Sequence, residues 1–81
     1  IGGSINIWSN KNSVNVDFSE MKKVDATIEI YSLIGQKLSS ESYHQKAVYH
    51  REVESMEAGY VVVKVLNDDK LTTQKVFIVN R

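Results

Sequence analysis

Two runs of β-branched and aromatic residues close the chain, residues 60–66 and 75–79. The polar tetrapeptide Asn67-Asp68-Asp69-Lys70 lies between them. Runs of this kind around a short polar turn specify a β-hairpin. The first, Tyr60-Val61-Val62-Val63-Lys64-Val65-Leu66, is apolar at all positions but one, which predicts a central strand covered on both faces. The second carries its charge at Lys75 alone and lies near the end of the sequence. A strand there must be held by its neighbours, because termini otherwise fray. The hairpin is therefore expected to be the spine of the domain.

The rest of the chain repeats the pattern in shorter pieces. Ile5, Asn6 and Ile7 alternate and Trp8 follows, a short first strand in which Trp8 points away from the two isoleucines. Residues 9–13 are rich in Asn and Ser and read as a turn. Val14, Val16 and Phe18 alternate with Asn15 and Asp17, a half-buried second strand. Residues 19–25 read as a loop with room for one turn of helix, with Met21 and Val24 as lids on the core. In the third strand, residues 26–31, Ile28 and Ile30 face one way and Thr27, Glu29 and Tyr31 the other. Ser32-Leu33-Ile34-Gly35 then turns the chain, and Gly35 is expected at positive φ. Residues 36–42 and 47–53 form the fourth and fifth strands, with Val48 and Tyr49 on opposite faces. From the connection after the fifth strand, Met56 is expected to plug the core. The sixth strand starts at Gly59 and the seventh covers residues 71–79. Seven short strands with turns every eight to twelve residues or so predict an all-β fold, an immunoglobulin-like antiparallel β-sandwich. The chain has no proline, a common guard of sheet edges, and scattered lysines and glutamates take that part.

Eighty-one residues suffice for one small domain, expected over residues 5–81, with Ile1-Gly2-Gly3-Ser4 as a linker remnant. Ten basic and ten acidic side chains balance, and no basic block suggests nucleic acid. No apolar run is long enough for a transmembrane helix. Without cysteine there can be no disulfide, thiolate metal site or thiol nucleophile, so the fold must rest on its packed core.

Candidate chemistry is sparse. His44 and His50 lack the further convergent donors that a metal needs, so no metal site is expected. Asp68-Asp69 lacks the ligand spacing and glycine of a calcium loop and reads as a hairpin turn. No serine sits in a Gly-x-Ser-x-Gly elbow, and a sandwich this small leaves little room for a deep pocket. The chain is thus read as neither an enzyme nor a cofactor binder. Trp8, Tyr31, Tyr43, Tyr49 and Tyr60 could stack on sugars or peptides, but core and sheet-face packing is the preferred reading.

Three segments carry a resemblance. Ile28-Glu29-Ile30-Tyr31-Ser32-Leu33-Ile34-Gly35-Gln36-Lys37-Leu38 resembles the V-x-I-Y-D-L-x-G-R-x-V segment of the C-terminal sorting domains of the type IX (Por) secretion system. Met56-Glu57-Ala58-Gly59-Tyr60-Val61-Val62-Val63-Lys64-Val65 is similar to that family's L-x-x-G-x-Y-x-V-x-V segment. Lys75-Val76-Phe77-Ile78-Val79 is similar to its closing K-x-V-V-V strand, which ends on a basic residue as Arg81 does here. The order and approximate spacing agree. Departures are Trp8-Ser9-Asn10 in place of the family's asparagine-proline pair, Ser32 for aspartate, and Gly59-Tyr60 with no intervening residue. The last leaves two registers for the sixth strand, which differ in the face they bury.

The resemblance implies a non-catalytic address at the C-terminus of a larger exported protein, fused to an N-terminal cargo domain. Implied partners are the type IX translocon, its outer-membrane shuttle barrel and a sortase-like cysteine peptidase. The peptidase would cut upstream of the domain and join the cargo to surface lipopolysaccharide. The implied route runs from periplasm to outer membrane and cell surface, with the domain released after cleavage. A terminal strand can be read by strand addition or in a groove. On that basis Lys75, Phe77, Val79 and Arg81 are expected to be the presented set, with Gly35, Gly59 and Tyr60 fixing the shape. Phe77 and Val79 share one face and Val76 and Ile78 the other, so one pair fills the core. A surface adhesion or carbohydrate-binding module is the alternative, and it requires a clustered aromatic face. In isolation, exposed edges could pair or swap strands into a dimer.

Overall fold

The computed structural model describes residues 4–54 and 58–79. They form seven strands and no helix: β1 (Asn6–Asn10), β2 (Ser13–Asp17), β3 (Ala26–Ser32), β4 (Lys37–Tyr43), β5 (Val48–Glu52), β6 (Ala58–Asn67) and β7 (Lys70–Val79). β1-β2-β5 make a three-stranded sheet and β4-β3-β6-β7 a four-stranded one, with every pairing antiparallel. Immunoglobulin constant domains place their fourth strand beside the first sheet. Here β4 stays beside β3, because the turn between them is too short to cross over. Ser32 N–H donates to Gln36 C=O at 2.8 Å and Gly35 N–H to Ser32 C=O at 3.0 Å. Gly35 takes φ 92°, as the sequence predicts, and a Cβ added there would meet no atom within 4 Å. The demand for glycine is therefore one of backbone conformation and not of space.

The two sheets pack face to face. Val14, Val16 and Tyr49 come from the smaller sheet, and Ile28, Ile30, Val61, Val63, Val65, Val76 and Ile78 from the larger. Phe18, fully buried just after β2, stacks on Tyr43 at 5.4 Å, and Tyr43 meets Tyr49 edge-on at 5.3 Å. Val24 is buried and Met21 packs against the core, as lids should. The segment carrying them forms no helix but opens with a turn, in which Met21 N–H donates to Phe18 C=O at 3.0 Å. Asn67 holds it from a distance: Asn67 Oδ1 accepts from Asp25 N–H at 2.8 Å, and its Nδ2 donates to Lys23 C=O at 3.3 Å. Met56 lies outside the described residues.

Two expectations are corrected. The turn after the first strand is shorter than residues 9–13. β1 runs on to Asn10, which pairs with Ser13, and Lys11-Asn12 alone turn the chain, with Lys11 at φ 55°. The pairing extends because Ser13 Oγ donates to Asn10 C=O at 2.8 Å and completes the turn from inside the strand. Nor is β6 covered on both faces. It is central in its sheet, between β3 and β7, but only one face is buried, at Val61, Val63, Val65 and Asn67. Tyr60 and Leu66 on the other face stay nearly half exposed. The described chain builds two layers, so no third layer covers that outer face. The same alternation settles the register that Gly59-Tyr60 leaves open: Val61 points in and Tyr60 out.

Candidate functional site

β7 is an edge strand whose two faces differ sharply. Val76 and Ile78 are buried, whereas Lys75 and Phe77 are exposed and Val79 is half-buried. Pairing with β6 places each of them: Tyr60 lies opposite Phe77, Val62 opposite Lys75 and Ala58 opposite Val79. Tyr60 and Phe77 meet edge-to-face at 5.0 Å, and Lys75 Nζ sits 5.0 Å from the centre of the Tyr60 ring. Gly59, at φ 148°, stands between Ala58 and Tyr60 at the start of this patch. The strand's C-terminal end is held from the other sheet, where Val79 N–H donates to Lys11 C=O at 2.8 Å. The structure thus brings Lys75, Phe77, Val79 and Tyr60 together on one outer face. Gly35 lies apart, in the β3–β4 turn. Arg81 falls outside the described residues.

The face continues across β6 onto β3. Tyr31 pairs with Val62, Glu29 with Lys64 and Thr27 with Leu66. Lys64 Nζ lies 4.8 Å from the Tyr31 ring centre and Lys37 Nζ 5.9 Å from it. Tyr31 Oη donates to Glu29 at 2.8 Å, and Lys37 pairs with Glu29 at 3.3 Å. These partners hold the Glu29 carboxyl below its usual range, the Tyr31 hydroxyl most, then Lys37. The bond to Glu29 in turn raises the Tyr31 phenol. Sequence reasoning left Val62, Lys64 and Leu66 unassigned. The signal that could have found them is Lys64 itself, the one charge in the 60–66 run, which marks the outward register.

The other candidates disperse. His44 faces Asp25 at 3.5 Å and His50 bonds Asn15 at 2.8 Å, so the two histidines have separate partners. Among the described residues no three His, Cys, Asp or Glu side chains converge as a metal site would need. A cleft of about 430 Å³ opens between β4 and β5, near Leu38, Ser39, His50 and Val53. Among the described residues, Ser39 Oγ is buried there without a hydrogen-bond partner. The aromatics split three ways: Tyr43 and Tyr49 into the core, Trp8 outward at 41% exposure, and Tyr31 and Tyr60 onto the outer face of the larger sheet. Of the five, Tyr31 and Tyr60 share the outer face, where Phe77 meets Tyr60.

None of the curated proteins compared with the chain matches it. One family does: the sequence profile described as "Secretion system C-terminal sorting domain" matches residues 9–80. That span covers all seven strands but the first residues of β1, and it contains the whole outer face. The chain therefore belongs to the C-terminal sorting domains of the type IX (Por) secretion system, a family of signal domains and not of catalysts.

Proposed function

We propose that the outer face of β7 is the part of this sorting signal that the secretion machinery inspects, with Lys75, Phe77 and Val79 as the presented set and Arg81 following them. One observation carries the reading. Val76 and Ile78 already fill the core from this strand, so Lys75 and Phe77 are not needed for closure and stay open to a partner. The edge of β7 also offers backbone groups for strand addition short of Val79, whose N–H is already taken by Lys11 C=O, with alternate side chains to set specificity. In this reading the translocon and its outer-membrane shuttle barrel bind the domain while it is still joined to its cargo. A sortase-like cysteine peptidase then cuts upstream of residues 5–81, in a linker to which residues 1–4 belong. The cargo stays at the surface and the domain is released.

The test uses the exported protein that carries this domain. Deleting residues 75–81 should leave the cargo in the periplasm, but it also removes Val76 and Ile78 from the core. The Lys75→Ser/Phe77→Ser variant keeps that core and is the more informative. Cargo at the cell surface should fall by at least about tenfold, as expected when a central aromatic anchor and its charged neighbour are lost from an interface. Normal surface delivery of both variants defeats the proposal.

A further inference from the structure

We infer that the partner for this face is an acidic protein surface, with carboxylates that meet Lys64 and Lys75 and apolar side chains that cover Tyr60 and Phe77. The inference rests on the sorting reading and names the chemistry of the reader. Its first ground is charge. Three lysines, Lys37, Lys64 and Lys75, lie on the outward positions of the four-stranded sheet, against one carboxylate, Glu29. Lys37 neutralises Glu29 at 3.3 Å. Lys64 and Lys75 are left in excess on a chain whose formal net charge is zero.

The second ground is how these two cations are held. Each sits over a tyrosine ring, Lys64 at 4.8 Å and Lys75 at 5.0 Å from the ring centre. Ring contact of this kind fixes an ammonium group close to the sheet and leaves its other donors free. A carboxylate arriving there meets a positioned charge and not a waving side chain. Apolar surface outside the core flanks the two cations: Tyr60, Val62 and Phe77 beside Lys75, and Leu66 and Leu71 beyond Lys64. Lys64, Leu66 and Leu71, with Thr27 and Glu29, also line a depression of about 180 Å³. It can take an aliphatic side chain whose neighbouring carboxylate reaches Lys64. Cations with apolar side chains on both sides suit a protein surface that offers acids and apolar groups together.

An anionic membrane shares part of this chemistry but fits less well. Electrostatic membrane attachment needs clusters of about four to eight basic residues. Two uncompensated lysines, drawn down onto tyrosine rings, do not reach that number.

The experiment compares three forms of the exported protein: unchanged, Lys64→Glu/Lys75→Glu, and Lys64→Arg/Lys75→Arg. Cargo at the surface should fall at least about tenfold in the glutamate form, because like charges then face each other across the contact. The arginine form should deliver normally. Melting of the 81-residue chain checks folding of both variants. If the glutamate form melts early, Lys64→Gln/Lys75→Gln takes its place, with a smaller loss expected. A photoreactive side chain at position 77 in secreting cells should then crosslink a segment rich in Asp and Glu. Replacing those acids by Lys should restore delivery of the glutamate form. Normal delivery of a folded glutamate form, while the 75–81 deletion is blocked, overturns the acidic-partner inference and leaves the sorting reading in place. Normal delivery of the deletion and of the Lys75→Ser/Phe77→Ser variant removes the sorting reading itself. The 81-residue chain should not sediment with vesicles containing phosphatidylserine. Sedimentation that the glutamate form loses would instead assign the face to a membrane.

Discussion

Single side chains here do local electrostatic work whose pH dependence can be predicted. Asp17 accepts Ser19 N–H at 2.8 Å, and bonds to the Ser19 hydroxyl and amide hold its carboxyl below the ordinary 3.8. Glu29 is held below 4.5, first by the Tyr31 hydroxyl and then by Lys37. A carboxyl with a depressed folded pKa binds protons more weakly in the native state than in the unfolded one. Its contribution is complete above the unfolded value and is lost as pH falls through the folded one. Stability should therefore drop as pH falls below the two ordinary values of 4.5 and 3.8 and on through the lower folded ones. The Asp17→Asn/Glu29→Gln variant should be less stable at pH 7 and should lose less between pH 5 and pH 3. Urea unfolding at these three pH values measures this, and an acid loss as steep as that of the unchanged chain would count against it. Residue-scale features were unevenly legible in the sequence. Gly35 was, because few residues other than glycine take φ 92°. Asn67 was not: it reads as a turn residue, and its real partners, Lys23 and Asp25, are more than forty positions away. Lys11 in a left-handed turn runs against its type, and no local pattern announces it.

At the scale of the strand, alternation carries almost all the information, and it fails where both faces read as apolar. β3 separated cleanly into Ile28 and Ile30 inside and Thr27, Glu29 and Tyr31 outside. β6 did not, because Tyr60, Val62 and Leu66 are as apolar as the valines between them. Apolar content alone suggested burial on both sides. What it marked was one buried face and one face left open. β7 was legible to the level of two alternative pairs but not to the choice between them. That choice depends on the pairing of Val61 with Val76, which sequence spacing alone does not supply. The same division predicts opposite outcomes for neighbouring residues. Ile78→Ala deletes fully buried methyl groups and should cost about 2–5 kcal/mol of folding stability. Phe77→Ala gives up an edge-to-face contact with Tyr60 and some exposed ring, a loss nearer 1 kcal/mol. In the exported protein the order should reverse for a chain that stays folded. Phe77→Ala should impair surface delivery although its domain melts only slightly early. Equal melting losses for the two variants would mean that the inside and outside of β7 are misassigned.

The whole molecule is asymmetric about its two seams, and this bears on how it can open. On one side β1 packs against β7, and a main-chain bond from Val79 N–H to Lys11 C=O at 2.8 Å ties the sheets. On the other side β4 and β5 are both edge strands, and side chains bridge them. Glu41 accepts from the Tyr49 hydroxyl and pairs with Arg51 at 3.1 Å, beside the edge-on Tyr43–Tyr49 contact. Burial, and then the Glu41 bond, push the Tyr49 phenol far up, so it stays a donor throughout the ordinary pH range. A two-sheet sandwich of seven strands was readable from turn spacing. This seam was not, because Glu41, Tyr49 and Arg51 come together only once β4 has stayed in the sheet of β3. Local opening should start at the side-chain seam, where fewer backbone groups are paired, and the amides of β4 and β5 should exchange with solvent before those of β3 and β6. Tyr49→Phe removes one hydrogen bond to a charged acceptor. A loss of about 1.5 kcal/mol would speed exchange in β4 and β5 roughly tenfold. Exchange in β3 and β6 should rise only as far as global stability falls. Amide exchange followed residue by residue decides the matter, and equal acceleration in all four strands would show that the sandwich opens as one unit. Opening confined to the β4–β5 side leaves β7 zipped to β6 and tied to Lys11, so the face proposed to be read stays folded while the far seam breathes.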